Sequence, residues 1–116
     1  MRTAVDRLWR ALTAGDWAGM LDQFAAGALV FEADSGTAVA AAEYVARHRT
    51  AGAADVAVER AVRESNTIAV EVHVTRGGFA RRCAAFYDLR DGRIASATEY
   101  WSPAHPAHPV TPAESD

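Results

Sequence analysis

Apolar residues recur at Val5, Leu8, Trp9 and Leu12, the i, i+3, i+4, i+7 spacing that gathers one stripe on a helix. Thr3 followed by Asp6 resembles a capping box with Asp in place of Glu, and Gly15 suits the position just past the helix end. Asp16 then caps a second helix, whose stripe is Trp17, Met20, Leu21 and Phe24 at the same spacing. Gly27 stops that helix, a short strand follows from Ala28 to Glu32, and Asp34-Ser35-Gly36 breaks the chain. An alanine-rich helix is expected from about Thr37 to Arg49, ending near Gly52.

From Val56 onward the period changes from helical to two. Val56 to Glu64 alternates, Ser65-Asn66 turns, and Ile68, Val70, Val72 and Val74 share one face of the next strand. Gly77-Gly78 turns again. Cys83 to Trp101 then reads as two strands joined at Asp91-Gly92, a pair that suits the positive φ of a tight hairpin turn. One face of this hairpin carries Cys83, Ala85, Tyr87 and Leu89, and the other arm carries Ala95, Ala97, Glu99 and Trp101. Small residues beside an acid and an indole suit the wall of a cavity better than a core. The order of helix, helix, strand, helix and four strands predicts an α+β fold, with three helices over one face of a curved antiparallel sheet.

At 116 residues the chain is expected to form one domain over residues 1–103. All four prolines lie from Pro103 onward, so residues 104–116 are expected to be an extended tail rather than a helix or a central strand. Half the residues are hydrophobic and 23% are charged, a globular balance. A net charge of -3 argues against a nucleic-acid surface. Arg76, Arg81 and Arg82 read as a solvated hairpin end. One cysteine excludes an intrachain disulfide and fits a reducing compartment, and Cys83 reads as a small core residue. No basic leader or membrane-length apolar run is visible, so a cytoplasmic protein is expected. His105 and His108 on a tail lack a third ligand, so no metal is expected, and no phosphate or dinucleotide loop points to a cofactor. His48 and His73 read as helix-surface and sheet-surface residues.

The layout, with A-L-T-A-G-D-W at 11–17, F-A-A-G-A-L-V-F-E at 24–32, G-T-A at 36–38 and D-G-R-I at 91–94, resembles the nuclear-transport-factor-2-like superfamily. E-Y-W at 99–101 resembles its actinobacterial SnoaL-like branch. The resemblance spans residues 4 to about 103 and implies a cone-shaped α+β barrel. The superfamily includes ketosteroid isomerases, SnoaL-like polyketide cyclases and limonene-type epoxide hydrolases. The isomerase general base falls on Glu32, whereas its two oxyanion donors fall on Leu8 and Ala85, which cannot donate. Steroid isomerisation by that route is therefore not expected. The Tyr–Asn and Arg–Asp set of the epoxide hydrolases has no counterpart. A third-helix tyrosine matches Tyr44 and a pocket-mouth aromatic matches Trp101. The same register puts Val70, Val72 and Val74 on the concave wall, and pairing of the outer sheet faces into a homodimer is implied.

Glu32 and Glu99 are the catalytic candidates, since a desolvated carboxylate gains proton affinity and approaches the pH at which acid–base catalysis works best. Against this, Glu32 could turn to solvent and Glu99 could pair with Arg93 or another strand arginine. Tyr44, Tyr87, Trp101, Leu8, Val72, Val74 and Ala85 are the expected substrate-binding set, although a tyrosine hydroxyl by default reaches a backbone carbonyl. The expected function is cofactor-independent isomerisation, cyclisation or dehydration of a small apolar molecule. The alternative is a non-catalytic binding or dimerisation module of the same fold.

Overall fold

The computed structural model describes residues 2–106. Helix α1 (Ala4–Ala14) starts at the expected capping box: the Asp6 N–H donates to the Thr3 hydroxyl, and the Thr3 N–H donates back to the Asp6 carboxylate. It ends at Gly15, whose φ of 68° is the left-handed conformation that glycine adopts without strain. Its stripe of Val5, Leu8, Trp9 and Leu12 is buried. Helix α2 (Trp17–Asp22) is capped by Asp16 but lasts only six residues. Met20 is buried, while Leu21 is 41% exposed, against the expected stripe.

Strand β1 spans Phe24–Glu32, so Phe24 opens a strand and does not close a helix. Gly27 lies inside that strand, where the register with its neighbour shifts, and does not stop a helix. A second correction concerns Thr37–Ala40, which forms strand β2 antiparallel to β1 and not the first turn of the alanine-rich helix. The free edge of β1 takes this segment, because backbone donors and acceptors there need partners. Helix α3 therefore begins at Ala41 and runs to Ala51.

The remaining strands are β3 (Asp55–Glu64), β4 (Thr67–Arg76), β5 (Phe79–Arg90), β6 (Arg93–Trp101) and a two-residue β7 (His105–Pro106). Their order across the sheet is β2-β1-β6-β5-β4-β3, with β7 pairing with β5 beside the end of β6. All neighbours are antiparallel except β1 and β6, so the sheet is mixed where a wholly antiparallel one is expected. This parallel pair sets Glu32 directly beside Glu99. Asp91 and Gly92 have φ of 52° and 78°, as the hairpin turn requires. An irregularity between Asp88 and Leu89 leaves Ala95 unpaired and turns Ile94 into the core in its place.

Ile68, Val70, Val72 and Val74 face the helices and are buried, as expected. They join Leu8, Trp9, Ala85 and Tyr87 in one continuous core. The opposite face of the sheet exposes Leu29, Phe31, Phe86 and Tyr100. No helix among the described residues is long and apolar enough to cross a membrane. Residues 107–116, including His108 and most of the expected tail, lie outside the described residues.

Candidate functional site

A pocket of about 440 Å³ opens at the end of the sheet where α3 crosses it. The turn after β1 contributes Asp34 and Ser35, the start of β2 contributes Thr37, and helix α3 contributes Tyr44, Arg47, His48 and Ala51. The sheet supplies Glu32, Arg76, Arg81, Glu99 and Trp101, each from a different strand except the last two, which share β6.

Glu99 lies at the inner end and is 1% exposed, the only buried charged side chain among the described residues. The sequence points to it because period two carries the inner face of β6 from Ala97 to Glu99 to Trp101. No arginine reaches it: Arg93 pairs with Asp22, contrary to the expected salt bridge. The Tyr44 hydroxyl donates to Glu99 Oε2 at 2.6 Å, and the Trp101 Nε1–H donates to Oε1 at 2.8 Å. Burial raises the Glu99 pKa to about 7 and outweighs these two hydrogen bonds, which favour the ion; the nearby Glu32 charge raises it further. Tyr44 is itself pushed well above its ordinary value by burial and by the Glu99 charge, so its proton stays on the phenol.

Glu32 shares the pocket but sits nearer the mouth, with 19% of its side chain exposed. It accepts a hydrogen bond from Arg47 at 2.7 Å, and Arg47 also grips Glu43. The two candidate acids therefore occupy different surroundings: Glu99 is desolvated and held by neutral donors, whereas Glu32 is ion-paired at the rim.

His48 is not a surface residue. Its ring lies edge-on to Tyr44 with centroids 4.8 Å apart and faces the pocket. Arg76 Nη2 approaches Nδ1 at 3.3 Å, and because a guanidinium only donates, Nδ1 must accept and Nε2 carry the proton. Burial lowers the His48 pKa to about 4, assisted by the charges of Arg76 and Arg81. These two arginines are the other residues that the sequence reading misplaced. Arg81 lies on the inner face of β5, over the Trp101 ring at 4.9 Å, while only Arg82 turns outward to pair with Glu59. The alternation Arg81, Cys83, Ala85, Tyr87 already carried that signal.

The rest of the expected binding set falls elsewhere. Leu8, Val72 and Ala85 are fully buried in the core and do not line this pocket, while Val74 is buried nearby, against a shallow cleft beside Arg81 and Trp101. Tyr87 is likewise buried, and its hydroxyl, like the Trp9 Nε1–H, has no hydrogen-bond partner among the described residues. The helices close onto the valine face, so the cavity begins only at Tyr44, Glu99 and Trp101. Chemically, the arrangement offers a carboxyl group able to gain or lose a proton near neutrality, a fixed phenol donor and an indole wall.

The chain belongs to the SnoaL-like domain family, which matches residues 5–97. No curated protein matches it. Among solved structures it is similar to an NTF-2 like protein of unknown function from Burkholderia xenovorans, with 22% identity, 97% of this chain and 88% of that chain covered, and a TM-score of 0.78. It is also similar to IdmH, a candidate polyketide cyclase from Streptomyces antibioticus, with 15% identity, 84% and 88% covered, and a TM-score of 0.75. An M. tuberculosis LEH-like epoxide hydrolase shares 14% identity over 85% and 80% of the two chains, with a TM-score of 0.70. At these identities the likeness establishes the nuclear-transport-factor-2-like fold.

Proposed function

We propose that this protein is a cofactor-independent enzyme that moves a proton on a small organic molecule, in an isomerisation, cyclisation or dehydration. The observation that carries the reading is Glu99, a buried carboxyl group at the inner end of an open pocket, held by Tyr44 and Trp101 and close to half-ionised at neutral pH. A group poised in this way can take a proton from carbon and return it elsewhere. Tyr44 would stabilise the carboxylate in the ground state and turn its hydroxyl to a developing oxyanion. Glu32 would tune Glu99 electrostatically from the rim, a different role from that of direct base. The names of the cyclase and epoxide hydrolase neighbours are compatible with small-molecule chemistry in this fold, without choosing the reaction.

The outer sheet face, with Leu29, Phe31, Phe86 and Tyr100 exposed, supports a homodimer through that face.

The test is exchange of α-protons in D2O, followed by NMR over a set of small ketones and keto acids. Glu99-dependent exchange that Glu99→Gln removes supports the enzyme. Binding with no exchange in any member favours the non-catalytic binding module.

A further inference from the structure

We infer that the molecule held in this pocket is an organic acid, whose carboxylate sits between Arg76 and Arg81 while its carbon body extends toward Glu99. The inference rests on the reading of this pocket as a substrate site and adds the class of substrate.

Both guanidinium groups line the pocket, and neither is ion-paired among the described residues. They are held instead by uncharged acceptors. Arg76 donates from Nε to the Gly52 carbonyl at 2.9 Å and from Nη2 to His48 Nδ1. Arg81 donates from Nε to the Ser102 carbonyl at 2.8 Å and stacks on Trp101. Each is thus fixed in place without an ion-pair partner among the described residues and with terminal N–H groups to spare. The rim differs, because Arg47 there is consumed by Glu32 and Glu43. Two unpaired like charges converging on one half-buried place repel each other and suit an incoming anion. The concentration does not follow from the overall charge, which is -3.

The spacing fits a small molecule. Ala85 pairs with Glu99, so Arg81 stands four residues along β5 from the level of Glu99, roughly 13 Å between backbones at the usual strand rise. Within that interval both side chains meet the Trp101 indole, Arg81 over its ring and Glu99 at its Nε1–H, so a short carbon skeleton lying on Trp101 and Tyr44 would reach from one to the other. Those aromatic walls favour a carboxylate on an apolar body over inorganic phosphate.

The experiment uses the full chain and amide and indole NMR shifts with three probes: phenylacetate, neutral phenylacetamide and inorganic phosphate. Phenylacetate is expected to shift the Trp101 indole N–H and the α3 amides, with phenylacetamide at least about tenfold weaker, the loss expected for a charge-assisted pair. Arg81→Gln should weaken phenylacetate about tenfold. Arg81→Lys, which keeps the charge if the stacking contact matters for folding, should recover part of it. Added salt should weaken phenylacetate and leave phenylacetamide unchanged. Equal binding of acid and amide, insensitivity to salt and to both Arg81 and Arg76→Gln changes, stronger shifts with phosphate, or no shift with phenylacetate would each overturn the inference. Acid binding by the unsubstituted protein without α-proton exchange would count against the enzyme alone, and exchange of neutral ketones without acid binding against the organic acid alone.

Discussion

Tyr44 and Glu99, fifty-five positions apart, meet at 2.6 Å beneath the mouth of the pocket, with the phenol donating to the carboxylate. Helix α3 supplies one and strand β6 the other, so the contact exists only because the helix lies across that end of the sheet. Its consequence is a carboxyl group that is buried yet still accepts two hydrogen bonds, which leaves its pKa at about 7.

Stability should report this group directly. Glu99 binds its proton more tightly in the folded chain, so its favourable contribution is complete below about 4.5 and is lost as pH rises through about 7. The shift corresponds to about 3 kcal/mol. Glu99→Gln should abolish that loss, seen as urea midpoints at pH 5 and pH 8 that differ less than in the parent protein. Unchanged pH dependence in the variant would show that Glu99 is not the group responsible.

Two neighbours should move Glu99 in opposite directions. Tyr44→Phe deletes a hydrogen bond that favours the ion and should raise the Glu99 pKa, whereas Glu32→Gln deletes a like charge and should lower it. Carboxyl carbon NMR of Glu99 reads both. Shifts of the same sign would contradict the arrangement.

Catalytic weight should fall on Glu99. Loss of a positioned acid–base group costs about 10²–10⁴ in rate, so Glu99→Gln should remove turnover of an identified substrate, while Glu32→Gln should leave most of it. Stability of Glu32→Gln should change by about 1 kcal/mol or less, since its ion pair with a half-exposed Arg47 is at the rim. The reverse pattern would make Glu32 the base.

His48 should stay neutral down to about pH 4. Its lowered pKa means that its contribution is present above about 6.5 and lost as pH falls through about 4, opposite in sign to Glu99. Imidazole proton shifts check it, and an ordinary midpoint near 6.5 would contradict its burial beside Arg76 and Arg81.

The outer face should associate. Light scattering is expected to give twice the chain mass at micromolar concentration, and Phe86→Glu to give the single-chain mass. A single-chain mass for the unsubstituted protein would exclude the dimer.

Much of this molecule is legible in local pattern. The capping box at Thr3 and Asp6, the buried stripe of α1, the valine face of β4 and the Asp91-Gly92 turn depend on neighbours within a few residues, where period and backbone preference decide. The family follows from the same local wording. Tertiary structure decided what pattern leaves degenerate. Thr37–Ala40 is strand because β1 has an edge to pair, and Phe24 is strand because it meets Ile94. Ile94 replaces Ala95 in the core because one unpaired residue shifts the phase of β6. The site follows the same rule. Alternation places Glu99 and Arg81 on the inner face, but only packing of α3 desolvates Glu99 and surrounds it with neutral donors. Glu32, one strand away, lies within reach of Arg47 and stays paired. Burial and partner choice are properties of the closed fold, and they bring the Glu99 carboxyl group to titrate near neutrality.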